Sequence, residues 1–193
     1  MVKLLDRIES GGNPDDVSGL CFIRNGRLVD NDFSLIEDLD SLPFPDRSPL
    51  MDVEYGYSHQ GILLTPGKFT SICTSRGCPF HCNYCSCSVL SKGRWRSRSA
   101  ENVVDELESL YREGYRICVF VDDSFTQDRK RVRRICELIR ERAIRMCLYC
   151  EGRVDRADLE LLTDMKRAGF DVIYFGAESA SEHVLSYLSL IHI

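Results

Sequence analysis

From residue 69 onward the chain alternates short, unbroken apolar runs with longer segments whose apolar residues recur at helical spacing. Few folds accept that rhythm. A run such as Ile117-Cys118-Val119-Phe120-Val121 lacks polar alternation, which predicts a strand covered on both faces. After it, Val132, Ile135, Cys136 and Ile139 stand at i, i+3, i+4 and i+7, the inner stripe of a helix over 128–142. Before it, a helix over 99–113 takes Ser99 as its N-cap, turns Val103, Leu107, Leu110 and Tyr111 inward, and stops at Gly114. Strands at 69–74, 147–150 and 172–175 and a helix at 156–168 complete the order β-α-β-α-β-α-β. Such repeats require a parallel sheet with right-handed crossovers, either open or rolled into a (βα) barrel.

The flanks are different. Residues 1–60 form a lead-in: a helix end at Leu4–Ile8, then two apolar stretches around Asn25-Gly26, a strong hairpin signal. Leu39-Asp40-Ser41-Leu42-Pro43-Phe44-Pro45 cannot be a continuous helix and predicts a Pro-rich linker. The main unit is expected over 61–187, with a further helix starting near Ser181. Leu188-Ser189-Leu190-Ile191-His192-Ile193 matches the translation of a transposon-end adapter used in sequencing libraries. Native coding sequence is therefore expected to stop near Tyr187, leaving His192 without functional meaning.

Composition narrows the function. The net charge of −5 argues against a nucleic-acid or membrane-surface partner. No apolar run approaches the roughly 20 residues of a membrane helix, and the N-terminus lacks the pattern of a signal peptide. A cytoplasmic location is expected. Ten cysteines are many for such a chain, yet Cys118, Cys136 and Cys147 lie inside apolar periodic segments and predict core positions. A reducing compartment fits better than a disulfide scaffold. The basic run Arg129-Lys130-Arg131-Val132-Arg133-Arg134 keeps helical phase and predicts a solvated outer face. Lys92-Gly93-Arg94-Trp95-Arg96-Ser97-Arg98 is either a helix lead-in or an approach for an acidic cofactor or redox partner.

Only one stretch gathers cysteines at ligand spacing: Cys78-Pro79-Phe80-His81-Cys82-Asn83-Tyr84-Cys85, directly after the first parallel strand. In parallel α/β folds ligands bind at that end of the strands. Three thiolates on one loop can each hold one iron of a [4Fe–4S] cube and leave the fourth iron open for chemistry, whereas a closed site suits electron transfer or structure. Gly77 permits an unusual backbone angle and Pro79 stiffens the loop. Two alternatives stay open. Cys87 is a possible fourth ligand, which would close the cluster. A zinc site could draw on Cys82, Cys85, Cys147 and Cys150, although residues three apart on a strand point to opposite faces.

Cys-x3-Cys-x2-Cys, with aromatic Tyr84 before the last cysteine, resembles the signature of the radical S-adenosylmethionine (SAM) superfamily. The resemblance implies an α/β fold, a partial (βα) barrel of radical SAM type truncated to about four parallel strands. It implies that Cys78, Cys82 and Cys85 hold a [4Fe–4S] cluster, and that one electron cleaves bound SAM to a 5′-deoxyadenosyl radical. Segments at the next strand ends are similar to those that hold SAM in the family. Asp122-Asp123-Ser124 resembles the contact to its amino group. Glu151 and Arg153 match contacts to its ribose and carboxylate, and Gly176 and Glu178 lie in a segment near the adenosine. The lead-in is similar to that of members with an N-terminal cobalamin-binding domain, so cobalamin is expected in the full-length protein and Met1 lies inside a longer chain. The implied partners are a flavodoxin or ferredoxin reductant and an unidentified substrate. The competing readings are a non-catalytic zinc or iron–sulfur module and, lower, a methylthiotransferase.

Overall fold

In the computed structural model, residues 2–50, 58–59, 62–63 and 68–188 are described. They divide into two units, 1–37 and 38–193. The first unit holds helix α1 (Val2–Glu9) and an antiparallel hairpin of β1 (Cys21–Arg24) and β2 (Arg27–Asp30). Asn25 and Gly26 both adopt positive φ, the geometry an Asn-Gly hairpin turn needs.

The second unit is built on four parallel strands: β3 (Lys68–Ile72), β4 (Tyr115–Phe120), β5 (Cys147–Gly152) and β6 (Phe170–Phe175). Their spatial order, β6-β5-β4-β3, follows the chain, so every crossover joins neighbours. The crossovers are helices α2 (Ala100–Arg112), α3 (Arg129–Glu141) and α4 (Leu159–Arg167). The α/β alternation read from the sequence, and the partial barrel of about four parallel strands that the resemblance implies, agree with the sheet observed.

Each crossover helix begins on a side-chain cap that removes an orphan amide. Ser99, Asp128 and Asp158 accept from the amides of Asn102, Arg131 and Leu161. The cap explains why α4 starts at Leu159 and not at 156: residues Val154–Arg156 form a separate 3-10 turn. β5 runs two residues beyond its apolar stretch because Glu151 and Gly152 pair with Tyr174 and Phe175.

Alternating side chains split the core into two layers. Ile72, Cys118, Phe120, Leu148 and Cys150 meet the helices, where Leu107, Ile135, Ile139 and Met165 interdigitate. The rings of Phe120, Phe125 and Phe170 lie 4.7 to 5.3 Å apart in that layer. On the inner face, Ile117, Val119 and Tyr149 pack with Phe69, Cys147 and Val172. Cys147 and Cys150 thus occupy opposite faces of the sheet.

Along the outer margin of β3, side chains stand where a neighbouring strand would. Arg47, from the Pro-rich segment, donates to the Ser71 carbonyl (2.8 Å) and the Thr70 hydroxyl (2.9 Å). Arg98 donates to the Cys73 carbonyl at 3.3 Å. Both arginines converge on Glu106 of α2, at 3.0 and 2.5 Å, and that carboxylate is only 1% exposed. The segment predicted as a linker therefore packs with the second unit.

Candidate metal centre

β3 delivers the chain to its C-terminal end, where Ser75–Arg76 and Arg96–Ser97 form a two-residue antiparallel ladder. The ladder turns the intervening residues into a loop at the sheet edge. Gly77 has φ +87°, and a Cβ there would lie 2.2 Å from the Arg94 carbonyl oxygen and 2.5 Å from the Ser91 Cβ. No side chain fits at that crossing.

Cys78, Cys82 and Cys85 sit on this loop as unpaired, half-buried thiols. Burial pushes the Cys78 thiol up, and the charges of Cys82 and Cys85 add to that while Arg153 opposes it. The three sulfurs therefore share one electrostatic neighbourhood. Bound metal reverses such a shift, because a cation favours the thiolate. Among the described residues, no three His, Cys, Asp or Glu side chains converge closely enough for a single ion. A cubane asks for a different arrangement, one thiolate on each of three irons. The donor set, three sulfurs spaced along one loop, has the chemistry an iron–sulfur cluster requires.

Cys87 begins the short helix Cys87–Leu90 and takes another partner. Its thiol hydrogen-bonds to Asp123 and is pushed up to about 12, first by burial and then by that carboxylate.

Each of the three downstream strand ends fastens the loop. After β4, Asp123 accepts the Gly77 amide at 2.8 Å. After β5, the Arg153 guanidinium lies 3.9 Å from the centre of the Phe80 ring, held in place by two bonds to Asp155 at 2.9 and 3.1 Å. After β6, Glu178 hydrogen-bonds the Tyr84 hydroxyl; partial burial first, then this carboxylate, raises Tyr84 to about 12. Asn83 also donates to the Tyr187 carbonyl at 2.6 Å, in the helix Glu182–Tyr187.

The other expected site residues fall into two groups. Asp123, Glu151, Gly176 and Glu178 are exposed along the C-terminal edge. Glu178 has φ +55°, and its carboxylate oxygen would lie 2.8 Å from a Cβ at Gly176. Asp122 and Ser124 are instead enclosed, at 2% and 0% exposure. The Asp122 carboxylate is taken up by the Thr74 amide (2.6 Å), the Thr74 hydroxyl (2.5 Å) and the Ser75 hydroxyl (2.8 Å). Burial raises its pKa and these bonds oppose the rise.

Sequence reasoning missed four participants: Thr74, Phe80, Arg131 and Asp155. Arg131 was hidden in the basic run, although it stands in phase with Ile135 and Leu138, and it is buried with them. Two other arginines of that run pair across helices, Arg133 with Glu160 (2.6 Å) and Arg134 with Glu101 (3.1 Å), as does Arg142 at the end of α3 with Asp105 (2.6 Å). A cavity of about 1110 Å³ lies along the β3 margin, lined by Phe44, Arg47, Cys73, Arg76, Arg98 and Val121 among others. None of the three loop cysteines lines it, and its size alone assigns it no chemistry. No helix among the described residues is long and apolar enough to cross a membrane.

Residues 72–192 match the radical SAM superfamily. Over 189 residues, 96% of this chain, it is 33% identical to the uncharacterized methyltransferase PH0819 of Pyrococcus horikoshii and covers 39% of that protein. It is 28% identical to the cytidylyl-2-hydroxyethylphosphonate methyltransferase of Streptomyces wedmorensis, over 80% of this chain and 30% of that one. The structure of TsrM from Kitasatospora setae, a radical S-adenosylmethionine methyltransferase with cobalamin and a [4Fe–4S] cluster bound, superposes with a TM-score of 0.68. That match has 20% identity over 95% of this chain and 37% of TsrM. The chain thus spans less than two-fifths of the length of these relatives.

Proposed function

The chain belongs to the radical SAM superfamily, and from that premise we propose that its second unit carries the [4Fe–4S] cluster and one wall of the SAM pocket of a radical SAM enzyme. The observation that carries this reading is the cysteine loop: three unpaired thiols at Cys-x3-Cys-x2-Cys, at the ligand-binding edge of a parallel sheet, fastened by every strand end that follows. Cys78, Cys82 and Cys85 would each hold one iron. When bound, the cluster supplies the electron that breaks a carbon–sulfur bond of SAM and releases a 5′-deoxyadenosyl radical.

The chain's own residues bind and orient. Exposed Asp123 accepts from the SAM amine and offsets the sulfonium charge, and Glu151 takes the ribose hydroxyls. Arg153 offers its guanidinium to the SAM carboxylate, the charge-assisted pairing arginine favours. Gly176 leaves room for adenosine beside Glu178. The apolar inner face, Ile117, Val119 and Val172 with Tyr149, keeps water from the reacting atoms. Asp122 and Ser124 stand behind this surface.

Likeness to proteins named as methyltransferases, and the fold shared with cobalamin-bound TsrM, support cobalamin-assisted methyl transfer by the whole protein to an unidentified substrate. The reductant is a flavodoxin or ferredoxin in a cytoplasmic, reducing setting, which suits ten cysteines that form no disulfide.

Anaerobic reconstitution tests the reading. Expected are about four irons and four sulfides per chain and an EPR signal that shifts on adding SAM. Cys78→Ala should abolish loading, while Cys87→Ala retains it. A spectrum indifferent to SAM, or tightly held zinc in place of iron, overturns the reading.

A further inference from the structure

Thr74 is the last residue before the cysteine loop's ladder, and none of its polar groups is left to choose a partner. Its amide and hydroxyl both go to Asp122, at 2.6 and 2.5 Å. Its carbonyl accepts from the Arg98 amide (2.9 Å) and from Arg131 Nη2 (2.9 Å). Arg131 also donates through Nε to the Arg98 carbonyl at 2.7 Å, which ties the outgoing and returning arms of the loop together. Thr74 is fully enclosed, with Asp122 at 2% and Arg131 at 8% exposure. A buried carboxylate and a buried guanidinium, on two different elements, therefore grip one residue from opposite sides.

Such a grip determines direction. Thr74 fixes where β3 ends, Ser75 hangs on the same Asp122 oxygen as the Thr74 hydroxyl, and Gly77 follows two residues later against the Arg94 carbonyl. An error of orientation at Thr74 would swing Cys78 away from the strand ends that must meet it. Side-chain bonds of this kind hold donor atoms far better than a free loop could, because satisfied buried networks are rigid.

We propose that Asp122 is a positioning residue: through Thr74 and Ser75, and with Arg131 as its counterpart, it sets the orientation of the cysteine loop and touches no ligand itself. The proposal rests on the radical SAM reading and deepens it, since the adjacent Asp123 is left as the carboxylate that meets SAM.

The test compares Asp122→Asn, Thr74→Val and Thr74→Ser in the anaerobically reconstituted protein, with iron content, SAM titration followed by EPR, and hydrogen exchange of the 74–78 amides in the metal-free chain. Expected are full iron loading in all three and SAM binding weaker by about tenfold in Asp122→Asn and Thr74→Val, with faster exchange. Thr74→Ser, which keeps the hydroxyl, should restore both. If Asp122→Asn loses SAM binding while Thr74→Val behaves as wild type, Asp122 acts directly and the proposal fails. Wild-type binding and exchange in both variants also overturn it. Unloaded or SAM-indifferent wild-type protein would instead defeat the underlying radical SAM reading, a distinguishable result.

Discussion

The two margins of the four-stranded sheet are treated differently. Outside β3, Arg47 and Arg98 cover the Ser71 and Cys73 carbonyls, and the buried Glu106 carboxylate pairs with both cations. Outside β6 the described residues offer much less: after Phe170 every residue of the strand is half-buried or exposed, and its base carries a surface pair of Lys166 and Asp171 at 2.8 Å. An unguarded strand edge is a template for another strand, whereas charged side chains laid over an edge block pairing. The difference teaches that β3 is a guarded boundary, while β6 is the less covered margin among the described residues.

The comparison is most easily broken at Glu106. Glu106→Ala leaves the buried Arg98 and the half-buried Arg47 without their shared carboxylate, and removal of one partner from a buried charge cluster costs about 3–5 kcal/mol. Urea denaturation should show that loss, with accelerated exchange in β3; a change below about 1 kcal/mol would mean that the margin is not guarded as described. At the other margin, Phe175→Lys places a charge on the 36% exposed end of β6. Sedimentation of the isolated chain should then reveal at least about threefold weaker self-association, with little change in unfolding free energy. Unaltered association would show that β6 is not the adhesive edge.

The smallest effect is expected from Lys166→Ala. The hydrogen bond from Lys166 holds the Asp171 carboxyl below its ordinary value of 3.8, against a smaller opposing effect of burial. A lowered folded pKa gives stability that is present above the unfolded value and disappears as pH falls through the folded one. The pair is well exposed and screened by water, so it contributes little. Wild type should be slightly more stable than Lys166→Ala at neutral pH, and the two should converge in acid. Asp122 has the opposite sign: its pKa is raised by burial, so stability relative to Asp122→Asn should fall as pH rises above 3.8 toward the folded value.

How far the chain could be read in advance depends on what sets each feature. Strands and crossover helices were legible because burial on two faces or one stripe writes itself into apolar spacing, as at 117–121 and 132–139. Strand ends were not, since Glu151 and Gly152 are held by pairing and not by apolarity. Cysteine spacing gave the loop directly. It could not separate Asp122 from Asp123, because neighbouring residues leaving a strand face opposite sides and only packing reveals which side is enclosed. Phe80 and Asp155 carried no pattern at all: a ring under a guanidinium is a contact between distant segments.

The fastenings of the loop also impose an order in time. Gly77, Phe80 and Tyr84 emerge from synthesis long before Asp123, Arg153 and Glu178, so the sulfur donors cannot be steadied until the third crossover has closed. Contacts so remote along a polypeptide are slow to form. Iron capture is thereby coupled to maturation of the whole sheet, and a half-finished chain is a poor host for a metal it could misplace.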